Sequence, residues 1–402
     1  MPDFVHTGDI HLESAFSAHL NAVDAMQRRN DVMHNFSEII RLASKTELLF
    51  ISGDLFDSPN VSADTISFVK RKFAEIPDTH IFIAAGNHDP YTSDSVYAKI
   101  DFGKNVHVFD IEPECVELSD TKTRVYGVSF PNSAPGRLKF PVIDKDGDFN
   151  NFVVLHADLT SDLSGIYNPI SLTDIQNSGA DYVALGHIHK RCEPQKIGDT
   201  IFAYCGIPEG RGFDECGNLG CYIGHTEDSI TTVHFHRTCV KRLFDIKLDI
   251  SSAEDTFHIY ETAIQEMQNI GSANDLYRIT LCGRTNIDDI NCSVIKTRLC
   301  DYGILTDVID ETKPKYEPDD FSDDAGICGE VVGMTDNMMS LSESGDSSAK
   351  ESLNSFLCRY TQGRVGLSDL DAELLKNAEL IGLAALLGGD STQWESELIF
   401  CP

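Results

Sequence analysis

Leu48-Leu49-Phe50-Ile51-Ser52-Gly53-Asp54-Leu55-Phe56-Asp57 is an apolar run that passes directly into a glycine and two acids. A short β-branched and aromatic run of this kind reads as a buried strand. Carboxylates at its end are costly unless something cationic meets them. The pattern returns twice. Ile81-Phe82-Ile83-Ala84-Ala85 leads into Gly86-Asn87-His88-Asp89, and Tyr182-Val183-Ala184-Leu185 leads into Gly186-His187-Ile188-His189. Asp3–Thr7 likewise precedes Asp9-Ile10-His11, and Phe152–His156 ends on a single histidine. An Asp after a strand is more often a helix cap than a ligand, so Asp9-Ile10-His11 alone means little. Several polar clusters at successive strand ends mean more, because the carboxyl ends of neighbouring strands in a layered α/β sheet converge on one edge.

Between these strands lie helical patterns at about Phe16–Ala43 and Val61–Ala74. Alternation of strand and helix predicts an α/β layered fold, with two sheets in a sandwich flanked by helices. The second sheet is expected from the strand-rich span 106–237, which includes Arg124–Val128, Phe152–His156, Tyr182–Leu185, Thr200–Cys205 and Thr231–His236. This makes 1–240 the first domain. A small α+β domain follows over 241–310. It contains a strand at Phe244–Leu248, a helix opened by a Ser252/Asp255 capping box with Phe257, Tyr260, Ile264 and Met267 on one face, and a strand carrying Tyr277, Ile279 and Leu281. Residues 311–350 carry ten acidic and three basic residues with a Ser-rich tract, and read as a solvated flexible linker. In 351–402, Ser368 and Asp371 precede an apolar stripe of Leu370, Leu374, Leu375, Ala378, Ile381 and Ala385, a helical segment that is either core or a docking element for a partner.

The donors gathered at the strand ends are Asp, Asn and His without thiolate, which suits manganese, magnesium or iron, with zinc as an alternative. Such groups suffice for two ions. Two metals a few ångströms apart generate a nucleophile near neutral pH and clamp both oxygens of an in-line displacement at phosphorus, so phosphoester hydrolysis is the reaction expected. The twelve cysteines show no CxxC pair and are expected to be reduced thiols. With no signal-like or membrane-spanning apolar run, a cytoplasmic location without membrane attachment is expected. The net charge of −32 repels nucleic acid at long range. After residue 250 ten basic residues face twenty-eight acidic ones, so the tail carries more than half of that charge and the N-terminal part is only moderately acidic.

The ordered series DxH, GDxxD, GNHD, a lone strand-end His and GHxH resembles the calcineurin-like metallophosphoesterase superfamily over roughly residues 3–190. Together with the stretch Tyr204-Cys205-Gly206-Ile207-Pro208-Glu209-Gly210-Arg211-Gly212-Phe213-Asp214-Glu215, it is similar to the DNA-repair exonuclease branch, the SbcD- and YhaO-like nuclease subunits. The resemblance implies that Asp9, His11 and His189 hold one metal, that Asn87, His156 and His187 hold a second, and that Asp54 bridges them. It implies that His88 acts on the transition state or the leaving oxygen, with Asp89 orienting it. It also implies a capping domain after residue 240 and a C-terminal helical segment that binds a coiled-coil, SMC-like ABC ATPase. Two features depart from the pattern. Asp57 stands where archaeal and eukaryotic nucleases tend to carry His, and Glu13 replaces a small Gly. Lys190 and Arg191, directly after His189, and Arg211 are candidate phosphate contacts. His234 and His236 alternate with Val233 and Phe235, as residues of an ordinary strand do.

The reading that follows is a metal-dependent nuclease in DNA repair, exonuclease or endonuclease, hydrolysing phosphodiesters with a dimetal-activated hydroxide. Two alternatives stay open: a small-molecule or cyclic-nucleotide phosphodiesterase, and a DNA-tethering scaffold subunit. Expected partners are DNA and the ATPase, and a homodimer is left open.

Overall fold

In the computed structural model the described residues are 2–16, 22–131, 139–141, 143, 149–160, 167–227, 230–285, 287, 290–314 and 318–343, with a few scattered positions beyond. The chain folds as two units, residues 1–245 with 273–277, and residues 246–272 with 278–402.

The first unit holds two six-stranded sheets. One contains β1 (Asp3–Thr7), β2 (Leu48–Ser52), β3 (His80–Ala84), β4 (Val106–Val108), β11 (Gly220–Glu227) and β12 (Ile230–Arg237) in the order β12-β11-β1-β2-β3-β4. The other contains β5 (Glu114–Leu118), β6 (Thr123–Val128), β7 (Asn150–His156), β8 (Tyr182–Gly186), β9 (Gln195–Ile197) and β10 (Thr200–Tyr204) in the order β5-β6-β7-β8-β10-β9. Strands β1 to β4 run parallel, as do β6, β7, β8 and β10.

The central strands read as unbroken apolar runs because both of their faces are covered. Phe4, Leu48, Phe50, Phe82 and Ala84 point into the layer between the sheets, where they meet Phe152, Val154, Tyr182 and Ala184. The alternate residues Val5, Leu49, Ile51, Ile81 and Ile83 pack instead on Phe36, Ile39 and Ile40 of α1 (Ala22–Ala43) and on Phe68, Val69 and Phe73 of α2 (Ala63–Ala74). On the far side of the second sheet, Val153, Leu155, Val183 and Leu185 pack with Ile175 of α4 (Leu172–Ser178). A short α3 (Val96–Lys99) closes the β3–β4 connection.

One expectation about this sandwich is corrected. Thr231–His236 does not belong to the second sheet: β11 pairs antiparallel with β1, and β12 with β11, so the chain returns to extend the first sheet. Period and propensity identify a strand but not its partner, which is set by the cross-strand contacts of a distant segment. His234 and His236 are exposed on this strand. Glu13, the departure from the small Gly, has a local role: its carboxylate accepts from the backbone N–H of Ser62 and from the Ser62 hydroxyl, at the residue that caps α2.

In the second unit, β13 (Leu243–Asp249), β14 (Leu276–Cys282) and β16 (Ile304–Asp310) form a three-stranded sheet with α5 (Thr256–Ile270) and α6 (Cys292–Leu299). Here α5 starts later than the capping-box reading places it. Asp255 is the cap and accepts from His258 N, and the buried stripe is Ile259, Tyr260, Ala263 and Met267, while Phe257 is exposed. The one-turn offset follows from two adjacent cap-competent sites, of which Asp255 supplies the charged acceptor. The small strands β15 (Arg284–Thr285) and β17 (Lys313–Pro314) pair with each other.

The span expected to be a linker contains a 3₁₀ turn at Pro318–Phe321 and α7 (Ile327–Glu343). Its Cys328 and Val332 are buried with Leu383, and Thr335 donates to Glu379, so a few apolar residues at helical spacing outweigh the acidic composition. Of the C-terminal stripe, Leu375 is described and buried. Ser368, Asp371, Leu370, Leu374, Ala378, Ile381 and Ala385 lie outside the described residues.

His6 of β1 sits in the layer between the sheets, with Nδ1 2.8 Å from the Tyr182 hydroxyl and Nε2 3.1 Å from Ser52 Oγ. Burial pushes its pKa down to about 3, so it is neutral in the fold, whereas in the unfolded chain it is protonated below about 6.5. Its contribution is therefore complete above that value and is lost as pH falls through the window, by up to about 1.4 kcal/mol per unit. Urea unfolding at pH 7 and pH 5 is expected to show a drop roughly 2 kcal/mol larger in the wild type than in His6→Asn.

Candidate metal centre

The carboxyl ends of β1, β2 and β3 in one sheet and of β7 and β8 in the other bring together all the residues expected from sequence to bind metal. The backbone is bent to do so. Asp9, His11 and Asp54 adopt φ of 50°, 51° and 49°, and His187 adopts 98°. Left-handed non-glycine residues of this kind are strained and concentrate at functional sites. Two glycines allow the close approach of the strand ends. A Cβ on Gly53, at φ +95°, would lie 2.2 Å from His156 Nδ1, and one on Gly186 would lie 1.9 Å from the Ser52 carbonyl oxygen.

Asp9, His11, Asp54 and His189 form one half-site, with donor atoms all within 4.8 Å of one another. Nδ1 of His11 lies 3.0 Å from Asp57 Oδ1, and Nδ1 of His189 lies 2.7 Å from Glu215 Oε1. Glu215 accepts from the Nδ1–H of His189, the usual way a protein orients a metal-binding imidazole, while Asp57 stands against Nδ1 of His11 as an ion-pair neighbour, and each ring turns its Nε2 toward the other. Those two Nε2 atoms face each other at 3.2 Å. Two lone pairs at that distance repel unless a cation lies between them, so the donor set fits a divalent ion.

The second half-site repeats this logic with neutral partners. His156 Nδ1 donates to the Ser52 carbonyl at 3.0 Å, which turns Nε2 toward Asn87 Oδ1 at 2.8 Å, again two acceptors face to face. His187 Nδ1 is 3.1 Å from the same Asn87 oxygen, and its ring packs on Tyr167 with centroids 4.8 Å apart. Asp54 joins the halves, its Oδ2 being 3.5 Å from His156 Nε2 and 3.8 Å from His11 Nε2.

The charges respond to this crowding. Burial raises the Asp9 carboxyl above its ordinary range and the Asp54 charge adds to the effect. Burial acts on Asp54 in the same sense, but His156, His11 and the N–H of His88 outweigh it and hold Asp54 ionised. His187 is pushed down to about 4 by burial and by His156. Burial opposes the charge on His189, yet Glu215 and Asp9 lift it above its usual value.

Around the donors, the structure sorts the remaining candidates. His88 is part-exposed. Its backbone N–H donates to Asp54 Oδ1 at 2.8 Å and its Nδ1 lies 3.0 Å from the Asp57 carbonyl, leaving Nε2 as its outer nitrogen. Asp89 does not orient it. This carboxylate is buried and accepts from the N–H groups of Phe56 and Gly86 and from the Tyr97 hydroxyl at 2.5 Å, so it ties two ligand-bearing loops together. Burial and the Asp54 charge raise it to about 7.

Arg191 is also committed elsewhere: its guanidinium contacts Glu193 and the Tyr222 hydroxyl and stacks over Phe235. Lys190 is exposed. Arg211 does reach the site, but through Asp57, Glu215 and His189. Sequence reasoning missed Glu215 and the orienting role of Asp57. Both stand in motifs already quoted, but nothing local says that their partners are His189 and His11.

The sandwich carries the paired half-sites at its strand ends, an arrangement that suits a metal-dependent phosphoesterase. Residues 2–191 match the family of calcineurin-like phosphoesterases, hydrolases that use divalent metals, and this part of the chain is a calcineurin-like metallophosphoesterase domain. The chain is 27% identical over 284 residues to the uncharacterized metallophosphoesterase YhaO of Bacillus subtilis, covering 67% of this chain and 69% of that protein. It is 26% identical over 248 residues to the DNA double-strand break repair protein Mre11 of Sulfurisphaera tokodaii, covering 57% and 62%, and 25% identical over 235 residues to that of Methanopyrus kandleri, covering 52% and 49%. The matched region thus spans about half to two thirds of these archaeal proteins. Among the described residues no helix is long and apolar enough to cross a membrane.

Proposed function

We propose that the chain hydrolyses phosphodiester bonds in DNA, as a nuclease subunit. The observation that carries the hydrolytic part is the pair of half-sites sharing Asp54, with the part-exposed His88 beside them. Asp9, His11, Asp54, Asn87, His156, His187 and His189 would hold two divalent ions, which would supply Lewis acidity toward phosphoryl oxygens and bound water. The protein's own part is to aim the donors and to place His88 where a leaving oxygen receives a proton. Choosing DNA follows the repair proteins among the relatives. A coiled-coil ATPase that presents the duplex would complete the assembly, and would offset the repulsion of a chain carrying −32. That same charge favours the second reading, a small phosphodiester substrate.

The test is hydrolysis by the purified chain, with manganese, of linear duplex and single-stranded DNA beside bis(p-nitrophenyl) phosphate. DNA is expected to be cut. His88→Ala is expected to slow cleavage of both substrates about 10²- to 10⁴-fold with bound metal unchanged. Cleavage of the small ester alone would turn the reading to the second substrate class, and loss of metal from His88→Ala would remove its assignment as the proton donor.

A further inference from the structure

Arg211 lies at the centre of an arrangement that the two-ion reading leaves unexplained. Asp57, from the loop after β2, lies 3.0 Å from Nδ1 of His11, and Glu215, from the loop after β10, accepts from Nδ1 of His189 at 2.7 Å. Arg211 spans the two acids. Its Nη1 lies 3.0 Å from Asp57 Oδ1, its Nη2 lies 3.4 Å from Glu215 Oε1 and 3.2 Å from His189 Nδ1, and its backbone N–H donates to Glu215 Oε2 at 2.6 Å. Since His189 Nδ1 already gives its proton to Glu215, the carboxylate is the acceptor for Nη2. Four carboxylates, Asp9, Asp54, Asp57 and Glu215, crowd around the imidazoles of His11 and His189, and this guanidinium is the cation that bridges two of them.

The loop that carries Arg211 is itself clamped to α1. Arg28 Nη2 donates to the Gly210 carbonyl at 2.7 Å and pairs with Glu209 at 2.9 Å, and Asn35 Nδ2 donates to the Pro208 carbonyl at 2.7 Å. The guanidinium is therefore delivered to its two acids by a fixed support. Among the described residues nothing equivalent serves the second half-site, where the backing groups are the neutral Ser52 carbonyl and the Tyr167 ring.

We infer that Arg211 is a positioning residue for the first half-site, locking Asp57 and Glu215 so that His11 and His189 present their Nε2 lone pairs to one ion, and that it does not serve as a phosphate contact. The inference rests on the two-ion reading of the site and holds whether or not the substrate is DNA. Its consequence is selective, since an orienting group typically contributes about 10- to 100-fold in metal affinity and this one acts on one of the two ions.

The experiment is equilibrium dialysis of the full chain against manganese, with bound metal counted per chain, for the wild type, Arg211→Met and Arg211→Lys, together with KM and kcat on bis(p-nitrophenyl) phosphate. The wild type is expected to bind two ions. Arg211→Met is expected to lose about 10- to 100-fold in affinity for one and to hold the other within about twofold, while Arg211→Lys, which keeps the charge but not the fork, recovers part of the loss. Unchanged affinity for both ions, with a raised KM at constant kcat, would make Arg211 a phosphate contact and overturn the inference. If Arg211→Met fails to fold by circular dichroism, Glu215→Gln, whose amide oxygen still accepts from His189 without the charge, enters the same dialysis, and equal retention of both ions there overturns it as well. A wild-type chain that binds fewer than two ions would overturn the two-ion reading, and the inference with it, before any variant is compared.

Discussion

Asp54→Ala is expected to lower phosphodiester hydrolysis by at least about 10³-fold and to deplete both ions together. The Asp54 carboxylate stands between the half-sites, within 4 Å of the Nε2 atoms of His11 and His156, and no other acidic residue in the cluster approaches both in this way. Its loss removes charge from both metals and the acceptor for the His88 N–H. Lewis-acid stabilisation of a phosphoryl transition state contributes several kcal/mol, and each 1.36 kcal/mol is about tenfold in rate. Asp54→Asn, which keeps the shape and the acceptor for His88, is expected to fall between the two. The check is metal per chain together with turnover of bis(p-nitrophenyl) phosphate. An Asp54→Ala chain that kept two ions and a tenth of its activity would show that the carboxylate is not shared.

The second large effect is on folding. Glu209 is buried, with Oε1 2.9 Å from Arg28 Nη2, and its carboxylate also accepts from Asn35 Nδ2, Val240 N and Lys241 N. Arg28, equally buried, donates in addition to Asp31 and to the Gly210 carbonyl. Glu209→Ala leaves part of a buried guanidinium and two backbone N–H groups without their acceptor, and removing one partner of such a pair typically costs about 3–5 kcal/mol. Urea unfolding is expected to show a loss of that size, with Glu209→Gln milder because the amide oxygen still accepts. In a double-mutant cycle, adding Arg28→Met to Glu209→Ala is expected to cost less than the sum of the single changes. Additive costs would mean that the two groups do not depend on each other.

Much of the catalytic unit was legible in the chain. The runs Leu48–Ile51 and Ile81–Ala84 are apolar at every position because one face of each strand packs on helices and the other on the second sheet. Their sharp ends at Gly53-Asp54 and Gly86-Asn87 mark where the sheet stops and the donors begin. A buried strand and a polar end are local properties, so periodicity and residue type find them. The same reasoning failed for Thr231–His236, for Ser252 as the cap of α5, and for the acidic span that contains α7. For β12 and α7 a contact made far along the chain, β1 with β11 and Leu383 with Val332, decided between readings of similar local merit, and for α5 the choice fell between two caps one turn apart.

That Asp, Asn and His donors gather in one place was thus legible in the sequence by itself, because strand ends in a layered sheet converge whatever the loops between them do. How each imidazole is held came only with the tertiary structure. That Asp57 stands against His11, that Glu215 serves His189, that Asp89 reaches Phe56 and leaves His88 to the Asp57 carbonyl, and that Arg211 reaches Asp57 all depend on contacts between segments apart in the chain. Such contacts depend on distance and direction to within a few tenths of an ångström, and neither quantity is encoded in the order of residues around any one of the partners.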